Sequence, residues 1–285
     1  MSSEHRSASE VRVVPYAAGC GAVIENIDLC DLDDEKFRVV HEAFLDYGVI
    51  FFREQRLEAD HHLALARRFG PVVINKFFPA TANPEIAEVR KEPDQQTNIG
   101  GGWHTDHSYD EIPALGSILV ARDLPTSGGD TLFANMYAAY EGLSEGLQKT
   151  LRSLRAIHSN EHLYGAKGIY RQTDLAPMLQ GKDVVGAATH PIVITHPDSG
   201  RPALYVNPGH TRCIEGWTVE ESLALLRHLY EHASRDEFTC RFEWQPGSVA
   251  IWDNRSTWHM AVNDYHGEKR LLHRITIDGS ELKAA

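Results

Sequence analysis

The spacing of apolar positions changes several times along the chain, and each change marks an element. From Val11 to Ile27, apolar residues are interrupted by Gly19 and Gly21, the pattern of an early strand pair joined by a turn. Phe37, Val40, Phe44 and Tyr47 then recur at helical spacing, with Asp33 or Asp34 as N-cap and Gly48 as the stop. Val49-Ile50-Phe51-Phe52 is apolar at every position, which predicts a buried strand. A second helix is predicted over 59–69, closed by Gly70. Beyond Ala114 strands dominate: 117–121, 131–134, 192–195, 203–206, 240–244, 249–252 and 271–277, punctuated by Gly, Pro, Asn and Asp. A further helix is predicted over 218–233, where Thr218 and Glu221 are spaced as a capping box and Leu225, Leu226 and Leu229 form the buried face. Many short strands with helices at their flanks predict a mainly β fold, a jelly-roll-like sandwich buttressed by helices. Between 158 and 188 the periodicity fades and glycines accumulate, marking a candidate lid or insertion. No repeat or linker divides the remainder, so 11–280 reads as one domain after a disordered lead-in over 1–10.

Composition narrows the class. The chain has 285 residues, 42% hydrophobic and 24% charged, enough for a sizeable core. A formal charge of −12 repels phosphate backbones, so nucleic acid is not an expected partner. No run approaches the roughly 18–20 apolar residues of a membrane span. The first residues lack an apolar core, so no secretory signal is expected. Cys20, Cys30, Cys213 and Cys240 show no Cys-x-x-Cys spacing, which argues against a zinc ribbon or dithiol motif. Free thiols in a reducing cytoplasm are the expectation.

The chemistry concentrates in two segments. His104 and Asp106 lie two apart after Gly100-Gly101-Gly102, so on a strand both would face one interior. His259 follows the apolar stretch from Val249 and is placed to supply a third ligand. Two imidazoles and a carboxylate suit a non-heme Fe(II) that keeps open positions. Arg270, across the turn at Asn263-Asp264 to Gly267, can lie behind them and hold a dicarboxylate co-substrate by a bidentate pair. His196-Pro197-Asp198 repeats the His-x-Asp letters, but Pro197 and Ser199-Gly200 make it a turn.

Trp103-His104-Thr105-Asp106, Ser127-Gly128-Gly129-Asp130-Thr131, and Ile251 to Arg255 through His259 to Arg270 occur in order with family-like spacing. In these motifs the chain resembles the taurine dioxygenase and 2,4-D dioxygenase (TauD/TfdA) family, with weaker similarity from about Val11 to Gly279. The resemblance implies a double-stranded β-helix core and His104, Asp106 and His259 as catalytic iron ligands. It implies Thr131 with Arg270 on the C5 carboxylate of 2-oxoglutarate, with Fe(II) and O2 completing the reaction. It also implies hydroxylation of a small anionic substrate (a carboxylate, sulfonate or sulfate ester) with release of succinate and CO2. A C–O or C–S linkage breaks where the hydroxylated carbon carries it.

Arg274, four residues beyond Arg270, shares its strand face and is a candidate partner for the substrate anion. Family members acting on taurine carry His at the position of Asn75 and Tyr at that of Phe78, and an aromatic is usual at that of His210. Taurine is therefore not the expected substrate. Tyr164 in the candidate lid joins Asn75, Phe78 and His210 as possible pocket lining. Two rivals stand beside this reading. A serine hydrolase would use Ser144 in Gly142-Leu143-Ser144-Glu145-Gly146, but that motif must follow a buried strand, and here helix-favouring residues precede it. A non-catalytic β-sandwich binding protein would have no use for both the metal triad and Arg270. The sequence leaves a homo-oligomer open.

Overall fold

The structure is a computed structural model describing residues 10–180 and 183–285. The lead-in expected over 1–10 thus lies, apart from Glu10, outside the described residues. Seventeen strands are present among them: β1 (Arg12–Pro15), β2 (Ala22–Glu25), β3 (Val49–Phe52), β4 (Val72–Val73), β5 (Ala87–Lys91), β6 (Gly116–Asp123), β7 (Thr131–Asn135), β8 (Arg155–Ser159) and β9 (Ala187–Pro191); then β10 (Val193–Thr195), β11 (Pro202–Leu204), β12 (Thr211–Ile214), β13 (Thr239–Phe242), β14 (Val249–Asp253), β15 (Thr257–Ala261), β16 (Arg270–Ile277) and β17 (Lys283–Ala284). The main sheet runs β1-β2-β3-β14-β6-β16-β4, with β5 also paired to β16, and only the β2–β3 pair is parallel. A smaller sheet runs β13-β7-β15, and two further three-stranded sheets are β12-β8-β9 and β11-β10-β17. The core is a jelly roll with flanking helices, as the pattern of short strands predicts.

Alternation along β3 explains the layers. Ile50 and Phe52 point to one face, where they meet Val40 and Phe44 of α1 (Asp34–Tyr47) and Leu63 and Ala66 of α2 (Ala59–Phe69). Val49 and Phe51 point the other way, into a core shared with Phe133 of β7, Phe242 of β13 and Trp252 of β14. Phe51 stacks on Phe242 at 4.1 Å. This second core is the floor beneath the site. Truncating one of its rings would cost roughly 3–5 kcal/mol through lost burial and a residual cavity.

The helix ends follow their caps. Asp33 accepts from the Lys36 N–H at the start of α1, and Gly48 closes that helix at φ +72°. Two short helices, α3 (Met136–Glu141) and α4 (Glu145–Leu151), follow β7, and α5 (Glu161–Tyr164) follows β8. In α6 (Val219–Ala233), Thr218 and Glu221 form the capping box in both directions; Leu226 and Leu229 are buried, and Leu225 is half-buried. One predicted strand divides differently. The apolar run at 192–195 follows a separate strand, β9, and the two belong to different sheets on either side of Ile192.

The stretch at 158–188 is framed by structure. His158 and Ser159 end β8, Ala187 and Ala188 open β9, and α5 with two 3-10 turns, Ile169–Gln172 and Ala176–Leu179, lies between. Ser144 sits exposed at the N-cap of α4, preceded by α3 rather than by a strand. It lacks the strand-to-helix turn of a nucleophile elbow, and the hydrolase rival fails on that geometry. Among the described residues no helix is long and apolar enough to cross a membrane.

Candidate metal centre and adjoining pocket

His104 does not sit on a regular strand, which corrects the sequence expectation. It forms an isolated antiparallel bridge with His259, in the middle of β15. The His104 N–H donates to the His259 carbonyl at 3.1 Å, and the His259 N–H donates back at 2.9 Å. Asp106 lies in the turn that follows. Thr105 between them is pinned by a 2.6 Å bond from its hydroxyl to the Thr257 carbonyl. The bridge thus brings the two imidazoles together, with ring centroids 4.2 Å apart.

One ligand atom from each of His104, Asp106 and His259 lies within 4.8 Å of the others. His104 Nε2 is 3.5 Å from Asp106 Oδ1, and His259 Nε2 is 3.4 Å from Asp106 Oδ2. His104 Nδ1 lies 2.8 Å from the Gly102 carbonyl and donates to it, which leaves Nε2 as the nitrogen turned toward Asp106. Burial favours the neutral Asp106 carboxyl, but Arg274, His259 and His104 outweigh it and hold the group well below the usual carboxylate range. Burial, then His104, push the His259 imidazole well below its ordinary value. A neutral His259 imidazole and an ionised Asp106 carboxylate are protonation states that a divalent cation needs, and two imidazole nitrogens with a carboxylate oxygen fit Fe(II).

Two glycines make room for His104. A Cβ on Gly209 would lie 2.7 Å from the His104 Cβ, and one on Gly100, at φ +80°, would lie 3.0 Å from the ring. The Gly100 carbonyl also accepts from the Ala261 N–H at 2.8 Å, tying the glycine-rich approach to β15.

Arg270 and Thr131 line the same pocket. Arg270 is 5% exposed, and its Nη2 is 3.5 Å from Thr131 Oγ1. Trp244 Nε1 donates to the same hydroxyl at 3.0 Å. Arg270 Nε has no partner, and no carboxylate forms a salt bridge with Arg270 among the described residues. Burial lowers its pKa, with Tyr265 and Asp130 opposing. A dry, unpaired guanidinium facing a cavity is a receptor for an anion.

Arg274 plays a different part from the one its position suggests. Nη2 donates to Asp106 Oδ2, and Nε and Nη2 both donate to Ser117 Oγ, at 3.1 and 2.7 Å. Its first partner is therefore the candidate metal-ligating carboxylate. Nη1 makes no hydrogen bond among the described residues. Ser117, on β6, fixes the fork; nothing in its local sequence marks it.

All ten candidates, Asn75, Phe78, His104, Asp106, Thr131, Tyr164, His210, His259, Arg270 and Arg274, line one pocket. Asn75 is less free than expected, because its side-chain carbonyl accepts from the Phe77 and Phe78 N–H groups at 2.8 and 3.0 Å and shapes the loop. The His210 ring meets His104 and Tyr109 edge-on. Sequence reasoning missed Phe77, His107 and Tyr109, in irregular segments, and Tyr170, in the 3-10 turn Ile169–Gln172, all of which also line the pocket and add aromatic rings to its wall. No periodicity marks such residues. The repeated His-x-Asp is structural: His196 is fully buried and pairs through Nε2 with Asp253 Oδ2 at 2.9 Å.

A model of the taurine catabolism dioxygenase TauD, TfdA family matches residues 12–276. The chain is 37% identical over 268 residues to an alkylsulfatase of Acinetobacter baylyi, covering 91% of this chain and 82% of that protein. It is 35% identical over 280 residues to an alpha-ketoglutarate-dependent sulfate ester dioxygenase of Pseudomonas putida, covering 95% and 91%. The crystal structure of a taurine dioxygenase from Burkholderia xenovorans superposes with a TM-score of 0.78 at 35% identity, covering 95% of this chain and 91% of that one.

Proposed function

The chain belongs to the TauD, TfdA family, and from that premise we propose that it is an Fe(II)/2-oxoglutarate-dependent dioxygenase whose prime substrate is a sulfate ester or a comparable acid with an apolar body. His104, Asp106 and His259 would hold the iron. Arg270 and Thr131 would hold the C5 carboxylate of 2-oxoglutarate. The chemistry that a bound Fe(II) supplies is the splitting of O2 between succinate, formed with CO2 from 2-oxoglutarate, and a hydroxyl on the substrate.

The side chains of this protein set the rest. Arg274 keeps Asp106 ionised and offers Nη1 to the substrate anion. Phe77, Phe78, Tyr109, Tyr164 and Tyr170 surround the body of the substrate and exclude water. The segment 158–188 acts as the lid of a single catalytic domain, since Leu163, Tyr164 and Tyr170 are part of the pocket wall. The enzyme works in the cytoplasm, in keeping with its free cysteines. Hydroxylation of the carbon bearing a sulfate oxygen gives an unstable ester that expels sulfate and leaves an aldehyde.

The observation that carries this reading is one pocket lined both by a His-Asp-His donor set and by a buried guanidinium without a counter-ion among the described residues. The similarity to enzymes named for alkyl sulfates and sulfate esters supports the substrate class. The test is substrate-dependent succinate formation with a medium-chain alkyl sulfate, a phenoxy acid, taurine and the neutral amide of the phenoxy acid. The alkyl sulfate or the phenoxy acid should exceed taurine, and the neutral amide should be inert. Taurine as the best substrate would overturn the argument from the aromatic wall; an equally active amide would overturn the role of Arg274.

A further inference from the structure

Lys91 ends β5 directly opposite Arg270 in the register of the sheet, so the two side chains stand on one face with Val89 and Leu272. Lys91 is 3% exposed, and its Nζ has no hydrogen-bond partner. That ammonium lies 4.4 Å from the centroid of the Tyr265 ring, and the Arg270 guanidinium carbon lies 6.0 Å from the same centroid. Both cations line a side cavity whose outer wall includes Leu175 and Met178. The cavity shares Val89, Ile99 and Ala261 with the main pocket, so the two adjoin at Arg270.

The energetics call for an anion here. A buried ammonium without an acceptor is costly, and a cation–π contact returns only part of that cost. Burial pulls the Lys91 pKa down, and Asp174 opposes this. The Asp174 carboxylate, however, is already engaged by the Gln96 and Thr97 N–H groups. Among the described residues neither Lys91 nor Arg270 has a carboxylate within salt-bridge distance. Two buried cations on one aromatic ring therefore leave a surplus of positive charge at the far end of the co-substrate pocket.

We infer that Lys91 is a second cation of the co-substrate site, a positioning residue that selects the distal carboxylate of 2-oxoglutarate by acting across Tyr265 beside Arg270. The inference rests on the 2-oxoglutarate reading above. Arg270 makes the direct pair. Lys91 works at longer range, and its attraction for the tail carboxylate adds to that of Arg270 and falls off with distance. A 2-oxo acid with an uncharged tail gains nothing from it.

The experiment is calorimetric binding under anaerobic conditions to the Fe(II)-loaded wild type and to Lys91→Met and Lys91→Arg. The probes are 2-oxoglutarate and 2-oxopentanoate, which has the same five carbons but ends in a methyl group. Lys91→Met should weaken 2-oxoglutarate about tenfold, leave 2-oxopentanoate within about twofold, and be largely rescued by Lys91→Arg. Equal weakening of both acids would mean a packing defect and overturn the inference, as would an unchanged affinity for 2-oxoglutarate. A wild type that binds no 2-oxoglutarate would overturn the co-substrate reading itself, and this inference with it.

Discussion

At the scale of single residues, Arg270 carries the sharpest expectation. Replacing it with Ala would remove the proposed charge-assisted partner of the co-substrate tail from a site that is almost fully dry. Such losses cost roughly 2–5 kcal/mol, which corresponds to a rise of about 30-fold or more in the 2-oxoglutarate requirement. Iron affinity should not change, and comparing the apparent KM with an anaerobic metal titration checks both halves. Arg270 was legible in the sequence because its distance from His259 places it on the next strand. Lys91 was not, because its chemistry arises from strand register, and nothing near Lys91 in the chain shows that it faces Arg270. Arg274 was half legible: its face follows from a period of two, but its bond to Asp106, 168 positions away, does not.

At the scale of elements, helix ends and buried strands were readable because local chemistry sets them. Asp33, Gly48 and the Thr218–Glu221 box terminate helices wherever the rest of the chain goes. The loop that carries His104 was misread as strand, since an isolated bridge leaves no periodic trace. Gly209 exposes how tightly that loop is held. Its backbone passes so close to His104 that Gly209→Ala would place a methyl group 2.7 Å from the His104 Cβ and 3.3 Å from the Trp103 carbonyl. The neighbouring turn cannot yield freely, because the Asn207 side-chain carbonyl accepts the His210 N–H at 2.8 Å. Gly209→Ala should therefore lower metal affinity by about tenfold or more, about 1.4 kcal/mol per tenfold, with an unchanged far-UV spectrum. Wild-type affinity in this variant would show that the loop relaxes at little cost.

At the scale of the whole molecule, buried histidines link stability to pH. Burial, with Arg122 and His273 nearby, lowers the His62 pKa to about 3, and burial with His190 lowers that of His158 to about 3 as well. Both groups are neutral when folded and regain an ordinary pKa of about 6.5 when unfolded. The unfolded chain thus binds more protons, so stability is complete above about pH 6.5 and falls as the pH drops from there toward 3. Each group contributes a slope of up to about 1.4 kcal/mol per pH unit within that window. Urea unfolding at pH 7 and pH 5 should show the loss, and His62→Leu should lose less; parallel losses in the two proteins would exclude His62 as a source. The bridge between His104 and His259 has a consequence for synthesis as well. Its two sides, together with Arg274, come from distant stretches of chain and meet only by long-range pairing, the slow kind to form. A growing polypeptide therefore lacks the full His104, Asp106 and His259 donor set until residue 259 has left the ribosome.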